Sequence, residues 1–137
     1  MSLTETLRER RGHPFVTEQF LSFPRLYSTE EAAENVGYKT VWAHFFVGDC
    51  DWWLIEYDPK EHLAFGFVSL GSQNETGAEF GYFSLVELEA LSFNVRLAPG
   101  NRERTMKLVV ERDVDWSPRA VRFAVPERFH KSWWLGE

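Results

Sequence analysis

The centre of the chain is a series of short β-branched and aromatic segments separated by turn residues. Apolar residues that alternate or run together over a few positions, between clusters of Gly, Pro, Asn and Asp, are typical of β-strands. Connectors this short join antiparallel neighbours, so the pattern predicts a β-meander. The four predicted strands are 41–47, 51–57, 63–70 and 78–83.

Helix-start patterns flank this central part. A Ser followed three residues later by Glu forms a capping box, in which side chains satisfy free amides of the first helical turn. This spacing occurs at Ser2, Ser28 and Ser84. A Gly past the end and a Pro at the start of a helix add to the pattern. The predicted short helices span 3–11, 28–37 and 85–91, with one more opened by Pro14.

The rest of the chain predicts a few more strands and a tail. Phe93–Leu97 and Met106–Val110 predict two strands around a polar loop, and Val121–Val125 predicts another. The whole pattern predicts a single α+β domain, an antiparallel β-meander sheet of four or more strands with short flanking helices. Its parts are a helical N-terminal part at 1–37, the sheet at 38–125 with one helix at 84–91, and a tail at 126–137.

The first turn decides which side chains share a face of the sheet. A turn that closes with Val47 opposite Asp51 gathers many aromatic residues, one His and one Glu on one face. That face holds Trp42, His44, Phe46, Trp52, Leu54 and Glu56, and the next strand adds Leu63, Phe65 and Phe67. The other face places Trp53 opposite Gly66, a large residue against a small one, as a close-packed core requires.

The first of these faces is too apolar for a solvated sheet face. Either the protein's own helices or tail cover it, or it is an interaction surface. Trp and Tyr are enriched at interface hot spots, which suits the second interpretation. The candidate binding residues are Trp42, His44, Trp52, Glu56, Phe65 and Tyr82.

Composition excludes several classes of protein. Apolar residues make up 44% of the chain and aromatic residues 16%, which excludes a disordered or low-complexity protein. The apolar runs are far shorter than the about 20 residues of a membrane helix, so no membrane association is expected. A single cysteine, Cys50, and the lack of a signal-peptide pattern favour a cytoplasmic protein.

Charge is distributed unevenly along the chain. The net charge is −6, with 6 basic and 15 acidic side chains in residues 1–95 but 9 basic and 6 acidic ones in residues 96–137. A nucleic-acid partner is not expected, although the 96–131 region is basic. Neutralising phosphates supplies most non-specific affinity for nucleic acid, and the net charge of this chain is negative. Two ends of opposite charge suit docking to a protein, and a homodimer is a further alternative.

Motifs for catalysis and cofactor binding are missing. The chain has no phosphate-binding loop, no H-E-x-x-H and no C-x-x-C. Alternating carboxylates at Glu111, Asp113 and Asp115 could hold Mg²⁺ or Ca²⁺, or simply form ion pairs. His44 and Glu56 could act as an acid–base pair, or satisfy each other among the aromatic residues. We predict no catalytic residues, no cofactor and no metal, and we keep a small metal-dependent hydrolase or nuclease that uses acidic residues as the alternative.

Several runs of aromatic and acidic residues resemble a known family. The runs are 41–46, 52–59, 64–68, 79–85, 87–89 and 111–113, the last followed by Trp116. Their order and spacing, over about residues 25–116, resemble the domain-of-unknown-function family 2958, small proteins of plasmids, integrative elements and phages. The resemblance implies a mobile-element or phage setting and carries no activity. It favours a small non-enzymatic binding or accessory protein that docks a protein partner through the aromatic face, with inhibition of host defence as one such role.

Overall fold

The computed structural model describes residues 2–30, 35–71, 77–96 and 104–136. The strands are β1 (Thr40–Val41), β2 (Ala43–Val47), β3 (Cys50–Asp58), β4 (Leu63–Ser69), β5 (Ala78–Ser84), β6 (Ser92–Arg96), β7 (Thr105–Val109), β8 (Glu111–Arg112) and β9 (Arg119–Ala120). The central sheet is five-stranded and antiparallel in the order β5-β4-β3-β2-β8, beside a small β1–β9 pair and a separate β6–β7 pair. These strands and the short helices confirm the α+β class and the antiparallel meander.

The helices are short. The helix predicted after Ser84 is confirmed, because the Ser84 side chain accepts a hydrogen bond from the Glu87 amide at 3.2 Å. No helix in the described ranges is long and apolar enough to cross a membrane. The α-helices are α1 (Arg8–Arg11), α2 (Leu85–Ala90) and α3 (Val121–Ala124), and single 3₁₀ turns cover Glu18–Ser22, Val36–Tyr38, Glu127–Phe129 and Ser132–Leu135.

The helix predicted over 3–11 is mostly wrong. Only α1 is helical, and it ends at Gly12 in the left-handed conformation, with φ of 85°. The amides of Thr6 and Leu7 donate instead to the Glu89 carboxylate of α2, at 2.9 Å each. A tertiary partner therefore replaces the local cap, and the segment before α1 is held by α2.

Two further predictions in the flanking parts have different outcomes. The strand predicted at Val121–Val125 is wrong: Val121 begins α3, and the Val125 amide donates to its carbonyl at 2.9 Å. Both valines are buried together, because residues four apart share one face of a helix. The helix predicted from Ser28 to Gly37 falls in part on residues 31–34, outside the described residues, and Ser28 itself lies in a turn.

The register predicted for the first hairpin is wrong by one residue. The turn contains two residues, Gly48 and Asp49, so that Val47 pairs with Cys50 and Phe45 with Trp52. Gly48 has φ of 53°, the positive value that tight two-residue hairpin turns require. A slip of one residue exchanges the faces of a strand, so Trp52 moves away from His44, which instead pairs with Trp53.

Both faces of the sheet are covered by the protein itself. The face we call the N-terminal face packs beneath the start of the chain and α2; it consists of Ala43, Phe45, Val47, Trp52, Leu54, Tyr57 and Ala64, covered by Phe15, Phe20, Phe23, Leu85 and Leu88. The opposite face, the tail face, packs beneath α3 and the tail; it consists of Trp53, Ile55, Phe65, Phe67 and Phe80, covered by Val121, Val125, Phe129 and Trp134.

Gly66 lies where β4 passes close to the backbone of β3. It pairs with Leu54, next to a β-bulge between Leu54 and Glu56. A Cβ at position 66 would lie 1.8 Å from the Trp53 carbonyl oxygen, so any side chain there collides with backbone. The predicted pairing of Trp53 with Gly66 is therefore wrong, because Trp53 pairs with Phe67. Trp53 is buried as predicted, but Gly66 meets its backbone rather than its ring.

The β6–β7 ribbon stands apart from the main sheet. Its two strands pair with each other and confirm the strands predicted at 93–97 and 106–110, within a residue at each end. Most of the polar loop predicted between them, at residues 99–104, lies outside the described residues. Leu108 packs against the core, while its cross-strand partner Phe93 and the next pair, Val95 and Met106, are exposed.

Candidate functional site

The six predicted binding residues do not share one surface. Trp52 is 5% exposed within the N-terminal face, and Trp42 is half-buried on the same side with its ring 5.7 Å from that of Phe23. The register slip explains the position of Trp52, because it turns that residue to the opposite face from His44. Trp42 lies where the strand is interrupted between β1 and β2, so the alternation expected to join it to His44 does not hold. The other four residues, His44, Glu56, Phe65 and Tyr82, lie on the side of the tail face.

His44 pairs with two aspartates and not with Glu56. Its Nε2 lies 2.8 Å from Asp51 Oδ1, and its Nδ1 lies 3.3 Å from Asp113 Oδ2. Its ring stacks on that of Trp53, with centroids 5.4 Å apart and planes 12° apart. Because both ring nitrogens already face carboxylates, the imidazole has no nitrogen left to exchange a proton with a substrate. The predicted His44–Glu56 pair is wrong, and the geometry gives His44 a role in joining β2 to the segment after β8.

The predicted row of carboxylates does not converge either. Strand β8 ends at Arg112, and the chain then turns, with the Asp115 amide donating to Asp113 Oδ1 at 3.2 Å. Glu111 faces His13, 3.6 Å away, while Asp113 faces His44. Across the ranges that the structure describes, no three His, Cys, Asp or Glu side chains are arranged to hold a metal ion.

Glu56 is a buried carboxylate that holds a turn of the N-terminal part. It is 2% exposed, and it accepts hydrogen bonds from the Tyr27 amide at 2.8 Å and the Thr29 amide at 3.0 Å. The Thr29 hydroxyl donates to the same carboxylate. Three donors on one buried side chain fix this turn firmly, because leaving any of them unpaired is costly in the interior.

The turn places Tyr27 in a backbone conformation that tyrosine seldom adopts. Its φ is 69°, in the left-handed region that favours glycine. The side chain is nevertheless 58% exposed, so burying this ring does not offset the strain. Exposed side chains held in strained conformations by dedicated buried partners occur mostly at functional sites.

Tyr27 begins a row of aromatic rings that runs along the outer part of the sheet. Centroids lie 6.1 Å apart from Tyr27 to Tyr82, 5.1 Å from Tyr82 to Phe65, 6.3 Å from Phe65 to Phe80 and 6.4 Å from Phe80 to Trp133. We call these five residues the aromatic ladder. Tyr27 is 58%, Tyr82 49% and Trp133 56% exposed, so the ladder reaches solvent at both ends, while Phe65 and Phe80 between them are partly buried.

Sequence reasoning found two members of the ladder and missed three. Phe65 and Tyr82 were predicted, and they pair directly across β4 and β5. Alternation along β5 places Phe80 on the same side as Tyr82, a pattern that could have added it. Nothing in the local sequence around Tyr27 or Trp133 indicates that distant turns bring them to this edge of the sheet.

A second concave region lies beside the start of the chain. A cavity of about 420 Å³ is lined in part by Glu5, Arg8, Tyr57 and His62. Burial, together with Asp58, raises the pKa of Tyr57 to about 12, and burial lowers the pKa of His62. The Tyr57 hydroxyl lies 2.6 Å from His62 Nδ1 and therefore stays protonated and donates to a neutral imidazole. The pair holds the β3–β4 turn, where His62 has φ of 54°.

Comparisons with other proteins add no relatives. No protein-family model matches the chain, and the searches of curated proteins and of solved structures gave no match. The candidate site therefore rests on its own geometry, and the aromatic ladder is the surface that this geometry favours.

Proposed function

We propose that this protein is a non-enzymatic binding module that docks a protein partner on the aromatic ladder and the adjoining edge strand β5. The observation that carries the proposal is the exposure of Tyr27, Tyr82 and Trp133 in one continuous row of rings, on a sheet whose faces are otherwise covered. Rigid aromatic side chains supply large contact area at low entropic cost, which is why they dominate interface hot spots.

The edge of the sheet supports an extended partner segment. Within the described residues, β5 pairs only with β4, so its other edge carries backbone groups without a strand partner. An added strand would take up those groups, and its side chains on one side would lie against Phe80 and Tyr82. Backbone pairing supplies affinity in such a mode, and the aromatic side chains supply specificity.

The buried carboxylate of Glu56 supports a role for Tyr27 in this surface. The nearly inaccessible Glu56 carboxylate uses its hydrogen bonds to hold the turn that presents the exposed Tyr27 ring. A purely structural turn would be cheaper with Gly or Asn at the left-handed position. The strain at Tyr27 is therefore consistent with selection for contact with a partner.

The resemblance to family 2958 suggests a protein of a phage or mobile element that acts in the cytoplasm. Such a protein would use this docking surface to bind a host protein, for example to inhibit host defence. The acidic character of residues 1–95 suits a protein partner better than a nucleic acid.

The alternative, a metal-dependent hydrolase or nuclease, receives less support. Such a site needs carboxylates that converge on one point. In the described structure Glu56 serves the Tyr27 turn, Asp113 serves His44, and Glu111 faces His13.

Photo-crosslinking tests the proposal at matched positions. A benzoylphenylalanine at position 82 should capture one defined partner in cells that carry the protein, and the same residue at position 123 should not. Phe123 is a suitable control because it is 68% exposed on α3 and outside the aromatic ladder. Tyr82→Ala should abolish co-purification of that partner, and Phe123→Ala should retain it. Equal capture at both positions, or a crosslink only to a second copy of the chain, would contradict the proposal.

A further inference from the structure

Three rings of the aromatic ladder form a shallow, inclined platform at one end of the row. The planes of Tyr27 and Tyr82 meet at 55° and those of Phe65 and Tyr82 at 56°, so the rings are inclined to one another rather than stacked flat. About half of each tyrosine is exposed, which leaves ring faces open to a ligand. The face of an aromatic ring carries partial negative charge and attracts cations.

Negative charge lies beside this platform. The Glu56 carboxylate accepts from the Tyr27 amide at 2.8 Å, inside the turn that carries the ring. Its three donors are amides and a hydroxyl, and Lys39 donates to that hydroxyl of Thr29 at 3.2 Å. Exposed Glu30 adds a second carboxylate in the same turn. The platform therefore combines open ring faces with a local excess of negative charge.

From this combination we infer that Tyr27, Phe65 and Tyr82 bind an organic cation, namely the guanidinium or ammonium head of an Arg, Lys or methylated Lys side chain of the partner. The inference rests on the proposed function, because it names the chemistry of the partner at that same surface. Tyr27 and Tyr82 supply the exposed ring faces, Phe65 packs beside Tyr82, and Glu56 positions Tyr27. A weakly hydrated, delocalised or methylated cation suits such a site better than a compact, strongly hydrated ion.

Titration with small cations tests the inference without the partner. Tetramethylammonium chloride and guanidinium chloride, each at low millimolar concentrations below the denaturing range, are added to the protein while ring resonances of Tyr27, Phe65 and Tyr82 are followed by NMR. Sodium chloride at equal ionic strength controls for screening. Neutral tert-butyl alcohol is close in shape to tetramethylammonium and controls for apolar contact. We expect saturable shifts confined to the platform with one or both organic cations, and linear or no shifts with the two controls.

Variants separate the platform from the rest of the ladder. Tyr82→Leu keeps an apolar side chain at an exposed position and should weaken cation binding at least tenfold, whereas Trp133→Leu should leave it within twofold. Glu56→Gln should weaken binding through the position of Tyr27. Because that substitution is buried, its folding is checked first, and Glu30→Gln at the exposed carboxylate serves as the second charge variant. Guanidinium saturation alone indicates an arginine and tetramethylammonium saturation alone a methylated lysine, and either supports the inference.

Two results would overturn it. Tert-butyl alcohol that shifts the same resonances as strongly as the cations would make the platform merely apolar, and the absence of saturation with both cations would remove the site. The outcomes stay distinct from those of the docking proposal. If cations fail but Tyr82→Ala still loses the crosslinked partner, the docking surface stands without this chemistry. If cations bind but the Tyr82→Ala variant still co-purifies with the partner, the cation site stands and the docking proposal falls.

Discussion

The two faces of the central sheet are both built from aromatic and aliphatic residues, yet they are covered to different extents. The N-terminal face is sealed by Phe15, Phe20 and Phe23 together with α2. The tail face is sealed by α3 and Trp134 near its centre, but Tyr82 at the outer edge stays exposed. An apolar sheet face therefore does not by itself mark a binding site. What marks one is the part of the face that the chain leaves uncovered.

A buried glutamate on each side shows the same contrast. Glu89 accepts from the Thr6 and Leu7 amides and forms an ion pair with Arg11 at 2.9 Å, which fastens the covering segment to α2. Glu56 accepts from two amides and a hydroxyl and fastens a turn that projects a ring outward. The Glu89 carboxylate helps to cover the N-terminal face, whereas the Glu56 carboxylate helps to present an exposed ring on the side of the tail face.

Removal of Glu89 should open the N-terminal face and have the largest effect. In Glu89→Ala the fully buried Arg11 guanidinium keeps only Glu5, at 3.4 Å, as an ion-pair partner, beside two backbone carbonyls, and two amides lose their acceptor. Breaking a buried pair from one side costs about 3–5 kcal/mol. Urea denaturation measures the change. Exposed Glu87 in the same helix is the control, and Glu87→Ala should stay within about 0.5 kcal/mol.

The ion pair between Glu89 and Arg11 predicts how the stability of the fold changes at acidic pH. Burial works to raise the pKa of Glu89, but the Thr6 and Leu7 amides and Arg11 outweigh it and lower the pKa below its ordinary value of 4.5. Glu89 therefore stabilises the fold above about pH 4.5, and this stabilisation is lost as the pH falls through the lowered value. The unfolding free energy of Glu89→Gln should therefore fall less steeply between pH 5 and 3 than that of the wild type. An equally steep fall in the two proteins would contradict this assignment.

Adjacent tryptophans test the cover of the tail face. Trp134 is buried against Phe67 and Phe80, with centroids 5.3 and 5.1 Å away, while Trp133 is 56% exposed. Trp134→Ala should cost toward the lower end of about 3–5 kcal/mol, because the 3₁₀ turn near the chain's end can partly collapse into the space. Trp133→Ala should change stability by less than about 0.5 kcal/mol. Equal losses in thermal melts would mean that the ladder is part of the core.

A substitution at Gly66 should strain the strands that both faces share. An Ala Cβ there would lie 1.8 Å from the Trp53 carbonyl oxygen, so the backbone must shift, at the upper end of about 1–3 kcal/mol. Gly81 pairs directly with Gly66 across β4 and β5, and a Cβ there would meet nothing within 4 Å. Gly81→Ala should therefore be neutral or slightly stabilising. Similar melting temperatures for the two variants would show the close approach to be wrong.

The smallest expected effect is a pH dependence at the rim of the N-terminal face. Burial lowers the pKa of His62, so the unfolded chain takes up a proton more readily than the folded one. Stability should therefore fall as the pH drops below the ordinary value of 6.5. His62→Asn removes the titrating group and keeps a residue that tolerates φ of 54°. Its unfolding free energy should change less between pH 7.5 and 5.5 than that of the wild type.

The strands were predictable because each carries its pattern locally, whereas their register and cover were not. Whether Cys50 belongs to the first turn or to β3 decides which face Trp52 occupies, and composition does not distinguish the two turns. Val121–Val125 is a short apolar run, which suits a strand or one helical turn equally well. The Tyr27 turn depends on Glu56, 29 residues away in sequence, so no local sequence pattern predicts it.

The β6–β7 ribbon should respond differently from the main sheet to hydrogen exchange and proteolysis. Among the described residues its strands pair only with each other, and a hairpin with few other contacts is marginally stable in water. Amides in the ribbon should therefore exchange by local opening, independently of global unfolding, while those of β3 and β4 exchange only when the whole domain opens. A protease that nicks the ribbon would leave a folded core, which makes this region the natural place to insert a tag or fluorophore without disturbing the aromatic ladder.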